Sequence, residues 1–301
     1  MRLDPRQLRI LRTVVRLGSF SGAARALNMS QPAVSMLIAQ LERAVGAQLV
    51  ERGRQGAVPT QAGRILTRRA EMIETVLELA QREIELGMVE VEGPLIVGGT
   101  PGALISLIPG AVSLLEEQGV RYQLRIVEAS DAELIAMLRE LRIDLAVGTA
   151  GVGVVPDDVV ERAILTDSFV LVLRKENGFV GETATLAEVG ALEWVLPDVG
   201  GAFQRQIEAM FLSAGVQVPQ RAIRCDSLAT MKEIIRRSDH VSILPYRVVA
   251  AEVASGQLRQ VTLRGGPPPR LVGVRMLRDR AQMPLADRLV RAMADAAARE
   301  A

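Results

Sequence analysis

Leu8, Leu11, Val14 and Val15 recur at helical spacing between Asp4-Pro5 and Gly18, which predicts an amphipathic first helix. Asp4 can cap it, Pro5 fits its first turn, where a missing N–H costs nothing, and Gly18 ends it. Ser21 is the expected cap of a short second helix carrying Ala23, Ala24 and Leu27, whose small alanines let another helix approach closely. Asn28, Met29 and Ser30 make a polar turn. Ser30 or Gln31 then caps a third helix, with Pro32 in its first turn and Ala33, Val34, Leu37 and Leu41 facing inward. Three helices in this order form a helix-turn-helix unit whose third helix can enter a major groove.

The pattern then changes twice. Leu49-Val50 and Val58-Pro59 flank residues 51–57, a loop with Arg52, Gly53, Arg54 and Gly56, and predict a small β wing. Thr60 can cap a helix reaching about residue 88, with Leu66, Ile73, Leu77, Ala80, Ile84 and Met88 as an apolar seam. Such a helix spans about 40 Å, and its seam needs a partner, either its own domain or a second copy of the chain. Residues 90–94 read as a hinge. Beyond Gly93, strands are expected at residues 95–98, 122–127, 145–148, 169–173, 194–196, 222–224, 241–244 and 271–274. Helices fall between most of them, as in open α/β sheets with crossover connections.

Charge follows the same division. The first 70 residues hold 12 Arg against Asp4, Glu42 and Glu51, whereas the remainder holds 24 basic and 32 acidic residues. A basic module set beside phosphate and an acidic one kept off it account for this segregation. One Cys and one His exclude a disulfide framework and leave no Cys/His metal cluster. The amino terminus lacks the pattern of a secretory signal, and no window of about 18 residues is apolar and uncharged. A soluble, cytoplasmic protein is expected.

If the third helix reads DNA, the residues near its start do so: Gln31, Ser35 and Met36, with Gln40 further along. Gln can pair bidentately with adenine, Ser can contact several base edges and Met can meet a thymine methyl. Ser30 and the helix amino terminus can hold a phosphate. Arg52 and Arg54 of the wing are either aimed at backbone or minor groove or are solvated surface charges. In the α/β part, ligands bind beyond strand carboxyl ends, where helix amino termini present N–H groups. Thr100 offers a hydroxyl after a strand and heads a helix, so it is the first candidate, with a plain helix cap as the alternative. Thr149, Ala202, Phe203 and Asp226 or Ser227 are further candidates. Helix-terminal donors suit a carboxylate, and Asp226 suits a hydroxyl or an ammonium. His240 could bring a titratable group near a cleft or simply sit in a loop. Cys225 and Trp194 read as packing residues. No nucleotide loop of usable spacing and no G-x-S-x-G elbow occurs, so an enzyme is not expected and no cofactor is implied.

Residues 18–63 resemble the reader domain of the LysR-type transcriptional regulators. The matching pieces are Gly18-Ser19-Phe20, Ala23-Ala24, Leu27, Ser30-Gln31-Pro32-Ala33-Val34-Ser35, Leu41-Glu42, Gly46, Leu49, Glu51-Arg52, Thr60 and Gly63. The resemblance implies an all-α winged helix-turn-helix reader with a long linker helix, followed by a two-lobed α/β sensor of the periplasmic-binding-protein type. It places the reader at residues 1–60, the linker and hinge at 61–92 and the sensor at 93–301. Lobe one is expected at residues 93–164 and 268–301, and lobe two at 165–267. It sets Gln31, Pro32 and Ser35 at the DNA-facing start of the recognition helix. Met36 departs from the Arg that many members carry, and His240 from a Gly-x-Gly turn. The implied partners are double-stranded operator DNA, a small-molecule effector and further copies of the chain in a dimer and tetramer. RNA polymerase is a further partner to test, and no membrane is implied. The expected function is effector-modulated regulation of transcription, with a constitutive or architectural DNA-binding protein as the alternative. A transport-type binding protein does not account for the basic reader.

Overall fold

Short-range caps build the reader in the computed structural model, which describes residues 3–53, 56–88, 91–198, 202–266, 268–279 and 283–299. Helix α1 (Pro5–Leu17) begins where Asp4 accepts a hydrogen bond from the Arg6 N–H at 2.9 Å, and ends at Gly18 in the left-handed region (φ 59°). Helix α2 (Phe20–Ala26) is capped by Ser19 rather than by the expected Ser21. Ser19 is extended and its Oγ accepts from the Gly22 N–H at 3.1 Å, which leaves Ser21 inside the first turn. Helix α3 (Gln31–Val45) is capped by Ser30, which accepts from the Ala33 N–H at 3.3 Å. Strands β1 (Val50–Gly53) and β2 (Gly56–Pro59) pair antiparallel as the wing. Glu42 Oε1 accepts from the N–H groups of Leu49 and Val50 at 2.8 and 3.2 Å, and so ties the wing to the end of α3.

Helix α4 (Gln61–Gly87) starts at Thr60, whose Oγ1 accepts from the Gly63 N–H at 3.0 Å. Leu11, Val14, Val34, Leu41 and Leu49 are fully buried together, and Ala62, Leu66 and Ala70 of α4 pack against them. A Cβ at Gly63 would stand 2.0 Å from the Leu49 carbonyl oxygen. That oxygen already accepts from the Thr60 N–H. Gly63→Ala is therefore expected to push α4 off the wing and cost about 1–3 kcal/mol, read as a lower urea midpoint. An unchanged midpoint would show that the backbone yields freely there.

Two compact units account for the chain: residues 1–89 with 140–142, and residues 90–139 with 143–301. The second unit opens with β3 (Glu92–Gly99), α5 (Pro101–Glu117), β4 (Tyr122–Glu128), α6 (Asp131–Arg139), β5 (Leu145–Ala150) and β6 (Val159–Asp167). The chain then runs through β7 (Phe169–Arg174), β8 (Thr183–Ala184), α7 (Leu186–Val189), β9 (Val195–Leu196), α8 (Ala202–Ser213) and β10 (Ile223–Arg224). It closes with α9 (Leu228–Arg237), β11 (Ser242–Pro245), α10 (Tyr246–Ala254), β12 (Leu258–Leu263), β13 (Arg270–Leu277) and α11 (Pro284–Arg299).

These elements form two lobes. The first is a five-stranded sheet in the order β4-β3-β5-β13-β6, with β3 parallel to β4 and β5, and β13 antiparallel to β5 and β6. One face packs α5 and α11 through Leu107, Leu115, Leu289 and Met293, and the other packs α6 through Leu134 and Leu138. The second lobe is a four-stranded sheet, β11-β7-β12-β8, with the parallel pair β9-β10 beside it. Trp194 is fully buried there, edge-on to Phe211 at 5.2 Å.

Several expectations shift. Of the expected hinge at residues 90–94, residue 90 lies outside the described residues, and residues 92–94 lie in β3, where Glu92 pairs with Tyr122. Strand β6 keeps the chain in the first lobe as far as Asp167 rather than residue 164, and β13 brings it back at Arg270. Strands β6 and β12 lie outside the expected set, and β13 pairs antiparallel with both β5 and β6.

Candidate functional site

Two surfaces carry candidate chemistry. On the reader, the start of α3 exposes Gln31, Pro32 and Met36, the last 55% accessible. Gln31 Oε1 accepts from the Ser21 hydroxyl at 3.3 Å, so the second helix orients the glutamine. Ser35 is half-buried between them in sequence. Ser30 is exposed, and its Oγ is engaged in the cap. Gln40 is half-buried and accepts from Gln7 Nε2 at 3.3 Å, which fastens it to α1. Arg52 belongs to β1 by its backbone, and Arg54 lies outside the described residues.

The second surface is a cavity of ≈ 310 Å³ between the two lobes. Its volume lies at the small-metabolite end of ligand pockets. Thr100, Thr149, Phe203 and Asp226 all line it. Thr100 holds the cap position of α5, but its side chain makes no capping hydrogen bond. The first turn of α5 therefore has no side-chain acceptor, and its positive end is open to an anion. Thr149 is buried at the end of β5, and its carbonyl accepts from Arg275 Nη2 at 2.6 Å. Phe203 stacks on Phe169 with ring centroids 6.3 Å apart. Asp226 is exposed, and its Oδ1 accepts from the Asp198 N–H at 3.2 Å. Ser227 caps α9.

Ala202 opens α8 immediately before Phe203. His240 is not among the lining residues: its Nδ1 lies 3.0 Å from the Ser238 hydroxyl, and it precedes β11, whose opposite end, Pro245, reaches the cavity. Cys225 is half-buried, packs against the Val170, Val172 and Met231 cluster as expected, and also lines the cavity.

Arg270 was missed by sequence reasoning, which began the last strand one residue later. It lines the cavity with its side chain only 4% exposed. Its Nη2 donates to Asp167 Oδ2 at 3.0 Å, while its Nε is buried with no hydrogen-bond partner. Burial pushes the guanidinium below its ordinary pKa, and the charge of Asp167 pulls the other way. The guanidinium lies against Gly102 in the first turn of α5, where an added Cβ would stand 3.5 Å from Nη1 and Nη2. Pro101 has no N–H, and the Ala103 and Leu104 N–H groups donate to the Thr100 carbonyl at 3.0 Å, so the start of α5 offers the Gly102 N–H in the same wall as a buried cation. Among the described residues, no cluster of His, Cys, Asp and Glu could hold a metal ion, and no helix is long and apolar enough to cross a membrane.

Comparison with known proteins agrees with this division. Residues 5–64 match the family model for bacterial regulatory helix-turn-helix proteins of the lysR family, and residues 89–298 match the LysR substrate binding domain. The chain is 27% identical over 237 residues to the transcriptional regulator TdcA of Escherichia coli, covering 78% of this chain and 75% of that protein. It is 28% identical over 264 residues to the regulator GbpR of Rhizobium radiobacter, covering 83% of each. In fold it resembles full-length CbnR in complex with its target DNA, with a TM-score of 0.73 at 19% identity over 98% of this chain and 100% of that one. ArgP from Mycobacterium tuberculosis is similar, with a TM-score of 0.68 at 20% identity over 98% of each chain.

Proposed function

The chain belongs to the LysR family of transcriptional regulators, with a DNA-binding domain and a substrate-binding domain, and on that premise we propose that it is switched by a small organic acid held between its two α/β lobes. The observation that carries this reading is Arg270, a buried cation with an unpartnered Nε in the same wall as the uncapped start of α5. A carboxylate answers both at once: it completes the guanidinium's donors and takes the Gly102 N–H at the positive end of α5. Thr100, Thr149, Phe203 and Asp226 surround that position.

On the DNA side, the exposed start of α3 enters the major groove. Gln31 reads a base edge, Met36 meets a thymine methyl, Ser35 contacts a neighbouring edge and the capped amino terminus holds a phosphate. Two copies joined along α4 present two recognition helices to two half-sites, and dimers associate further into a tetramer. Effector binding changes the closure of the lobes and so the spacing of the readers on operator DNA. RNA polymerase is the protein partner to test at the promoter.

Sequencing of genomic fragments retained by the purified chain, at stated salt and with competitor DNA, tests the reading. An interrupted palindrome beside a promoter is the expected product, and recovery of no preferred site, with or without added organic acids, would sink it. With that operator in hand, Thr100→Ala is expected to bind DNA within about twofold of the parent. Its response to the effector should fall at least about tenfold, one lost hydrogen bond to a charged group. Fluorescence anisotropy on labelled operator reads both quantities, and a retained response would remove Thr100 from the site.

A further inference from the structure

The charges and apolar surfaces of the cavity narrow the ligand class. Thr100, Gly102, Asp131, Thr149 and Arg270 come from the first lobe, and the charged groups lining the cavity are Glu128, Asp131, Asp226 and Arg270. Three carboxylates therefore face one guanidinium. That guanidinium is already matched by Asp167 at 3.0 Å. Asp131 has a second cation nearby, Arg275, but its Nη1 stands 3.6 Å away while its Nε is drawn to Glu161 at 2.6 Å. A plain mono- or dianion entering this cavity would meet Arg270 and the start of α5 but also a carboxylate excess among the lining side chains.

The unsatisfied groups are of both kinds. Arg270 Nε is a donor without an acceptor, and Asp131 Oδ1 and Gln204 Oε1 are buried acceptors without a hydrogen-bond donor. The complementary ligand accepts at one end and donates, with positive charge, at the other. The opposite wall comes from the second lobe and, beside Gln204 and Asp226, carries an apolar surface of Pro197, Phe203, Leu228, Met231, Pro245 and Val248.

We propose that the effector is an α-amino acid with an apolar side chain. Its carboxylate lies at Thr100, the start of α5 and Arg270, its ammonium faces Asp131, and its side chain rests on Phe203, Met231 and Val248. This inference rests on the reading of the cavity as the effector site, and narrows it.

Cys225 lines the cavity and is the only cysteine of the chain, so ligand entry can be read as protection of its thiol from iodoacetamide, alongside the thermal transition of the full-length protein. The probes are L-phenylalanine and L-leucine, 3-phenylpropanoate, which lacks the ammonium, L-phenylalaninamide, which lacks the carboxylate, and succinate. Expected are protection and a raised transition with L-phenylalanine or L-leucine, at concentrations at least tenfold below those needed for 3-phenylpropanoate or the amide. Asp131→Asn should erase the preference for phenylalanine over 3-phenylpropanoate. Because the analogue series is read on the unsubstituted chain, the test stands even if that variant does not fold. Equal or tighter binding of 3-phenylpropanoate or succinate overturns the amino-acid assignment and leaves the organic-acid reading in place. No protection and no shift with any probe overturns both.

Discussion

Asp167→Ala should lower the stability of the sensor unit by about 3–5 kcal/mol, the usual cost of removing one partner from a buried ion pair. The side chains of Arg270 and Asp167 are 4% and 1% exposed, so neither charge has water as a substitute partner. Asp167 also accepts the Arg247 N–H on its other oxygen at 3.2 Å, a second bond that alanine cannot replace. The variant leaves a guanidinium whose charge burial already disfavours and takes away the neighbouring carboxylate that favours it. Replacing both residues, with Asp167→Leu and Arg270→Met, should recover much of the loss, because the desolvation cost disappears with the charges. Trp194 is the only tryptophan and is fully buried in this unit, so its fluorescence during urea unfolding reports the sensor alone. That locality matters in a chain of two units, where a single two-state transition is not the premise. A loss below about 1 kcal/mol, within the range of exposed pairs, would show that Arg270 finds water or another partner when Asp167 is absent.

The same ion pair shows what the sequence made legible and what it did not. Arg270 follows three prolines and reads locally as a loop arginine. Its partner lies 103 residues away, across the register of β6 and β13. Nothing in a window of ten residues links the two. Reader helices are different, because their signals are local: Asp4, Ser30 and Thr60 each accept from an N–H two or three residues ahead. Even there, Ser19 and Ser21 offered the same chemistry, and it is Ser19, extended just after the left-handed Gly18, that accepts the Gly22 N–H and caps α2. Gln40 looked free for DNA on helical spacing, but Gln7, 33 residues earlier, holds it.

Strands β6 and β12 escaped notice for a related reason. β6 carries charge at Glu161 and Arg162 and is stabilised by distant antiparallel pairing with β13, through a bulge at Val272/Gly273. Its hydrophobic residues do not alternate strictly, so the period that marks a half-buried strand is absent. In the cavity, the candidates found were those that mark helix starts or strand ends in sequence, Thr100, Thr149, Phe203 and Asp226. Asp131, which opens α6, reads as an acidic residue suited to a helix start, and Gln204 sits in the first turn of α8; only packing shows their oxygens to be buried without donors.

Leu77→Asp is expected to separate the proposed α4 dimer and to weaken binding to a two-half-site operator by about 100-fold or more. Helix α4 satisfies only its first turns within the reader, through Ala62, Leu66 and Ala70, with Glu74 paired to Arg12 at 3.6 Å and Arg9 at 3.9 Å. Further along, Ile73, Val76, Leu77, Ile84 and Met88 are exposed, from 40% to 82%. Their spacing keeps them on one side of a helix of 27 residues, about 40 Å long. A seam of that length in water is best buried against its own copy, and a carboxylate in the middle of it would be desolvated with no partner. Linked readers gain an effective concentration for the second half-site worth roughly 10²–10⁴ in affinity, and separated readers lose it. Light scattering after size exclusion gives the mass, and anisotropy on duplexes with one or two half-sites gives the affinity. A monomeric variant that binds one half-site as the parent does, yet gains nothing from the second, isolates the effect to the α4 seam. A variant that stays dimeric with undiminished operator affinity would move the dimer interface off α4.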